Sequence, residues 1–119
     1  MHVGFETQVH HGWQVLSVRG DVDVETAPLL KERLAEVVGA SGARLIVDLD
    51  GVDFLDSTGL GVLVDALRRV RSEDGQMRLV CNQPKILRVF EITGLDKIFS
   101  IFGSVGEAAR GQDSRAEGQ

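Results

Sequence analysis

The stretch from Arg44 to Arg71, RLIVDLDGVDFLDSTGLGVLVDALRRVR, constrains the fold more than any other part of the chain. Leu45, Ile46 and Val47 form a continuous apolar run, which a strand covered on both faces requires. Asp48, Asp50, Asp53 and Asp56 follow, with Gly51 among them, and read as an acidic loop. From Leu60 the period changes. Leu60, Leu63, Leu67 and Val70 stand at the i, i+3, i+7, i+10 spacing of one helical face. Ser57 falls at the change of period, where an N-cap belongs. The predicted unit is a buried strand, an acidic loop and a helix, with a serine hydroxyl presented at the helix mouth.

The flanking segments supply a sheet for that strand. Phe5 to His10 alternates weakly, His11-Gly12 is turn chemistry, and Trp13 to Arg19 (WQVLSVR) is a more buried run, which together predict an antiparallel hairpin ended by Gly20. Asp21 to Thr26 reads as a loop. Thr26 is the predicted N-cap of a helix over Ala27 to Val38, with Pro28 in its first turn. Gly39-Ala40-Ser41-Gly42 stops it. After the central unit, Ser72 to Gln76 is a polar turn and Met77 to Cys81 a strand. Pro84 opens a helix that Thr93-Gly94 ends, Ile98 to Phe102 is a short edge strand, and Val105 to Arg110 a last short helix. The order β-β-α-β-α-β-α-β-α predicts an α/β domain over residues 1–110. Its sheet is mixed. The hairpin is antiparallel, and the crossover-linked strands are parallel. The tail GQDSRAEGQ, residues 111–119, is apolar only at Ala116 and reads as disordered.

Composition narrows the function. A chain of 119 residues with 43% hydrophobic and 26% charged residues suits one globular domain. Its net charge of −5 argues against a nucleic-acid backbone or an anionic membrane as partner, and suits a partner with a basic patch. Cys81 is the single cysteine, so neither an intrachain disulfide nor a cysteine-rich metal site can form. No apolar run reaches the roughly 20 residues of a membrane span, and the N-terminus lacks the pattern of a signal peptide. A cytoplasmic protein is expected.

Three roles are open to Ser57. As a nucleophile it would need an oriented base, and the histidines are His2, His10 and His11, all N-terminal. The hydrolase elbow also wants Gly at −2, where Leu55 stands. As a plain N-cap it would contribute about 1 kcal/mol. As a phosphate acceptor it has exposure by position and a helix N-terminus behind it. Asp21 and Asp23 either shape the turn before Thr26 or join Asp50, Asp53 and Asp56 in a negative rim around Ser57. The spacing of these carboxylates does not force a metal site, no cofactor is indicated, and no GxxxxGK[ST] or GxGxxG loop is present.

DFLDSTGLGVLV, with LIVDLDGV before it, resembles the signature of bacterial anti-sigma-factor antagonists of the STAS-domain family, whose Asp-Ser-[Ser/Thr]-Gly core is matched by Asp56-Ser57-Thr58-Gly59. RGDVDVETAPLL resembles the family's Gly-x-hydrophobic-Asp stretch through Gly20 and Asp23. NQPKILRVFEITGLDKIFSIFGSVGEA resembles its closing segment, including Arg88, Gly94-Leu95 and Ala108. The resemblance implies a single STAS-like domain, a mixed four- or five-stranded β-sheet with about four α-helices, and a binding module without catalysis, whose partner-facing surface includes Asp21, Asp23, Asp56, Ser57, Thr58 and Gly59. It implies that Ser57 is phosphorylated by a partner that is both serine kinase and anti-sigma factor. The unphosphorylated form would bind that partner and free a sigma factor, and a PP2C-type phosphatase would reset the switch. A STAS subunit of a lipid-transport ATPase and a small hydrolase using Ser57 are the alternative readings.

Overall fold

The computed structural model describes residues 2–39 and 43–111. Five strands, β1 (Val3–His10), β2 (Trp13–Val22), β3 (Arg44–Leu55), β4 (Gln76–Val80) and β5 (Ile101–Phe102), form one sheet in the order β1-β2-β3-β4-β5. The β1–β2 pair is antiparallel and every other pair parallel, so the sheet is mixed as predicted. The helices are α1 (Ala27–Val37), α2 (Ser57–Ser72), α3 (Pro84–Thr93) and α4 (Val105–Arg110), with a 3-10 turn at Leu95–Lys97.

The two faces of the sheet are covered unequally. Leu16, Val18, Leu45, Val47 and Leu49 point to the side of α1, α2 and α3, where they join Leu30, Leu34, Leu60, Leu63, Leu67, Ile86 and Phe90 in the main core. Truncating a fully buried member such as Leu63 is expected to cost about 2–5 kcal/mol. On the other face Trp13, Val15, Ile46 and Val80 meet Ala108 of α4. Arg44 and Arg78 lie over the Trp13 ring with their guanidinium carbons 4.5 and 4.6 Å from its centroid, which extends this small cluster with cation–π contacts.

That inequality explains β3. Leu45 to Val47 is continuously apolar because both faces are covered there. The six-residue α4 covers only part of the second face, and the strand then becomes polar on that side at Asp48 and Asp50 while Leu49, Val52 and Leu55 stay buried. The predicted acidic loop is therefore a strand, continuing to Leu55. The register of β2 against β3 shifts between Ser17 and Arg19 and again between Gly20 and Asp21, and these irregularities hid the alternation. Gly20 does not end β2. It lies within it at φ +95°, where a Cβ would run into the His2 carbonyl, so only glycine fits.

Several boundaries also move. β1 and β2 extend to Val3 and Val22, β4 is one residue earlier than predicted at each end, and Ile98 to Ser100 precede β5 as a turn. Gly94 does close α3, at φ +77°. Of the predicted stop after α1, residues 40–42 lie outside the described residues, as do residues 112–119 of the predicted tail.

Candidate functional site

The carboxyl ends of β2 and β3 lie side by side, with Asp21 opposite Phe54 and Val22 opposite Leu55. The N–H of Asp56 donates to the Val22 carbonyl at 3.2 Å, which holds the two exits together. Asp56, not Ser57, is the N-cap of α2. Its Oδ1 accepts from the N–H of Thr58 at 3.0 Å and of Gly59 at 3.2 Å, and the 56 carbonyl accepts from Leu60. Ser57 is thus the first helical residue and Thr58 the second, both exposed. The shift has a physical reason. Aspartate places its oxygen over the first N–H groups as well as serine does, and here it leaves the serine hydroxyl unused by the cap. That hydroxyl makes no hydrogen bond among the described residues.

Gly59 completes the motif from beneath. It is buried, and a Cβ there would come within 2.6 Å of Val22 Cγ1 and 2.7 Å of Leu55 Cδ1. The glycine lets α2 start hard against the strand ends, so it supports the surface instead of forming part of it.

The β2–α1 turn is built differently. Asp23 lies in the predicted loop, but its side chain is turned into the turn itself and the residue is 9% exposed. Its Oδ1 accepts from the N–H of Glu25 at 3.0 Å and of Thr26 at 3.1 Å, and its own N–H donates to Thr26 Oγ1 at 2.9 Å. The Thr26 hydroxyl has one proton, and the shorter of its contacts, 2.7 Å to the Asp21 carbonyl, takes it. Thr26 caps α1 by position alone, since its side chain faces back into the turn and makes no cap hydrogen bond. The Thr26 N–H aimed at the Asp23 carboxylate holds its pKa below the ordinary 3.8.

Of the two readings open to Asp21 and Asp23, the turn before Thr26 is the one Asp23 follows, and the carboxylates of the alternative rim are dispersed. Asp23 is consumed by its turn, Asp56 by its helix, and Asp50 accepts the Asn82 N–H at 2.6 Å on the far side of β3. Asp21 is half-buried and Asp53 exposed. Among the described residues no three His, Cys, Asp or Glu side chains converge on a metal site. His10 and His11 lie at the opposite end of β2. His2 precedes β1, one strand further out than β2, and its carbonyl accepts from the Asp21 N–H; among the described residues no histidine is hydrogen-bonded to Ser57.

Two features escaped the sequence reading. Val24, just past β2, Leu29, in the first turn of α1, and Phe54, near the end of β3, are large apolar side chains exposed by 69%, 47% and 45%. Nothing in their spacing separates them from core residues until β3 is known to be a strand with Phe54 on the side that the helices leave open. Gln83 donates from Nε2 to the carbonyls of Asp50 and Val52 at 2.6 and 2.5 Å, pinning the second half of β3 from the β4–α3 loop, for which the sequence carries no signal. Cys81 is buried, and desolvation pushes its thiol pKa above the ordinary value.

The STAS domain model matches residues 4–108. The chain is 33% identical over 101 residues to the anti-sigma-B factor antagonist of Bacillus subtilis, covering 85% of this chain and 92% of that protein. It is 40% identical over 90 residues to the anti-sigma-B factor antagonist of Listeria monocytogenes, covering 76% and 79%. The crystal structure of an anti-sigma factor antagonist from Mycobacterium paratuberculosis superposes with a TM-score of 0.82 at 34% identity, covering 90% of this chain and 91% of that one.

Proposed function

Because the chain belongs to the STAS-domain family, we propose that it acts as an anti-sigma-factor antagonist whose binding surface is the paired exits of β2 and β3. The observation that carries this reading is the Ser57 hydroxyl, exposed in the first turn of α2 and free of the cap, with exposed Phe54 three residues before it at the end of β3. Its partner is an anti-sigma factor that is also an ATP-dependent serine kinase. Unphosphorylated protein binds it and releases a sigma factor; phosphate on Ser57 ends the complex; a PP2C-type phosphatase restores it. Thr58 is exposed in the same turn, so the choice of Ser57 rests on its place in the Asp-Ser-Thr-Gly motif. The chain acts in the cytoplasm as a binding module with no turnover of its own. In support, no imidazole or carboxylate is hydrogen-bonded to the Ser57 hydroxyl among the described residues, the Asp56 carboxylate being engaged by the N–H groups of Thr58 and Gly59, and no helix among the described residues is long and apolar enough to cross a membrane.

Binding has the anatomy of a small interface: apolar anchors at Val24, Leu29 and Phe54, and a polar centre at Ser57. Aspartates 23 and 56 and Gly59 act by holding that surface in shape. The test is a pull-down from source cytosol with unphosphorylated protein, with and without ATP, followed by mass spectrometry of the bait. Recovery of an anti-sigma factor without ATP, and its loss with ATP as phosphate appears on Ser57, is the expected result. Phosphate on Thr58 in Ser57→Ala, or hydrolysis of an ester by the purified protein that stops in Ser57→Ala, would refute it.

A further inference from the structure

The two edges of the sheet differ. β5 is a two-residue edge followed at once by α4, a short and blunt end. β1 is eight residues long, pairs with β2 without a register shift, and contains no proline, lysine or bulge. Those are among the devices by which soluble proteins keep an edge from pairing with another chain, and the charged side chain of the strand's acidic residue, Glu6, is the one such device it carries. Val9, on this strand, is an apolar side chain exposed by 65%.

The direction of the unpaired groups follows from the hairpin. His11 and Gly12 have φ of +50° and +84°, as in a two-residue type I′ turn, so His10 and Trp13 form a hydrogen-bonded pair. Alternation then turns the main-chain groups of Gly4, Glu6 and Gln8 toward β2, and those of Val3, Phe5, Thr7 and Val9 outward. Among the described residues nothing takes up these outward groups.

We propose that β1 is the pairing edge of a homodimer, in which two copies join antiparallel through β1 with Thr7 on the twofold axis. A twofold axis perpendicular to the sheet keeps each face on its own side, so one residue must lie opposite itself. With Glu6 on the axis, two carboxylates meet in a close non-hydrogen-bonded pair, which like charge disfavours. With Thr7 there, Glu6 lies opposite Gln8 of the second copy. Phe5 lies opposite Val9 of the second copy, so the exposed Val9 gains an apolar neighbour on the same face. The pairs at Thr7–Thr7 and the two Phe5–Val9 positions supply about six main-chain hydrogen bonds. The strand ends of the two copies point in opposite directions, and both Ser57 surfaces stay open. The dimer does not depend on what binds those surfaces.

Such an edge contact is small, so the dimer is a weak one. Sedimentation equilibrium of the purified chain from about 10 μM to about 1 mM should show mass rising from monomer to dimer. Over the same range, amide hydrogen exchange should slow at Phe5, Thr7 and Val9 and stay unchanged at Glu6 and Gln8. Thr7→Pro should remain folded, because the N–H it removes faces away from β2, and should stay monomeric. Gln8→Lys should tighten the dimer at low salt and Gln8→Glu loosen it, each by about two- to thirtyfold through the two symmetric Glu6 pairs. A constant monomer mass overturns the proposal. So does a dimer that persists in Thr7→Pro, or equal dissociation constants for Gln8→Lys and Gln8→Glu.

Discussion

Two turns of this molecule use the same residue for opposite ends. Asp23 follows β2 and Asp56 follows β3, each just beyond a buried aliphatic residue and each accepting two main-chain N–H groups through one carboxylate oxygen. Asp56 is the cap itself, and the hydroxyl next to it, that of Ser57, is left outside. Asp23 stands three residues before the N-cap of its helix, and the hydroxyl it works with, that of Thr26, is enclosed: Thr26 is 5% exposed and bonded on both sides. A three-residue difference in where the aspartate sits decides whether a hydroxyl is structural or addressable. The buried one fixes the loop that displays Val24; the exposed one is where a partner's chemistry can reach.

The largest expected effect tests that contrast directly. A phosphoserine brings about −1.5 to −2 charges at neutral pH, and the helix N-terminus offsets only about half of one. No Lys or Arg occurs between Arg44 and Arg68 to draw the phosphate into a new ion pair, so no local lock drives a rearrangement. The phosphate stands out from the surface and opposes the contact, where like charges forced together cost several kcal/mol, a hundredfold or more in dissociation constant. Titration calorimetry against the anti-sigma factor should show that loss for phosphorylated protein. Ser57→Asp, with one charge on a shorter arm, should lose only part of it, and Ser57→Ala should bind with or without ATP. Backbone amide spectra should shift around Ser57 and its neighbours only; shifts across the whole sheet would mean a refolded domain.

Gly59→Ala comes next. Its new methyl group collides with Val22 and Leu55, an overpacking of about 1–3 kcal/mol that outweighs the roughly 1 kcal/mol a helical alanine gains over glycine. A melting temperature lower by a few degrees, with weaker partner binding as α2 is pushed away, is expected from thermal denaturation and calorimetry. An unchanged melting temperature would show that the strand exits yield easily.

Asp56→Ala removes a cap and should destabilise by about 0.5–2 kcal/mol, whereas Asp56→Asn should lose much less, as asparagine caps comparably. Asp23→Ala should instead disorder the 21–27 turn, seen as amide shifts confined to it. The stability that Asp23 contributes is present above the ordinary value of 3.8, because its pKa is depressed in the folded state, and is lost as pH falls through that lower value. Acid titration of wild type against Asp23→Asn should show the difference closing only at acid pH.

The sequence carried the architecture because its strongest signals were local: the run Leu45 to Val47, the period of α2, the turn at His11-Gly12, and Gly94 after α3. It misread what depends on neighbours. The second half of β3 looked like a loop because α4 stops short and a bulged partner strand shifts the register, neither of which is visible in residues 48–55 themselves. Ser57 and Asp56 compete for one cap, and nothing in the letters says which carboxylate or hydroxyl takes the N–H groups. For Asp23 the letters left turn and rim both open; the inward turn needs Thr26 at the right distance to close around it.

The smallest expected effect lies on the open face of the sheet, where Asp48 contrasts with Asp23. Both accept a nearby N–H, from Asp50 at 3.0 Å in the case of Asp48, but partial burial dominates there and pushes the Asp48 pKa above 3.8. The sign is therefore reversed. Asp48 is better tolerated by the fold when protonated, and its ionisation works against the fold as pH rises through the raised value. Asp48→Asn keeps the oxygen that accepts from Asp50 and removes the charge, so it should stabilise at neutral pH by up to about 0.5 kcal/mol, with the gain vanishing below the ordinary carboxylate range. Chemical denaturation at neutral and at acid pH measures it. Ser17 of β2 lies opposite Asp48 and hydrogen-bonds its carboxylate, so a variant less stable than wild type at neutral pH would mean that the charge on Asp48 holds the β2–β3 register through Ser17, and that the open face is organised by its carboxylate instead of burdened by it.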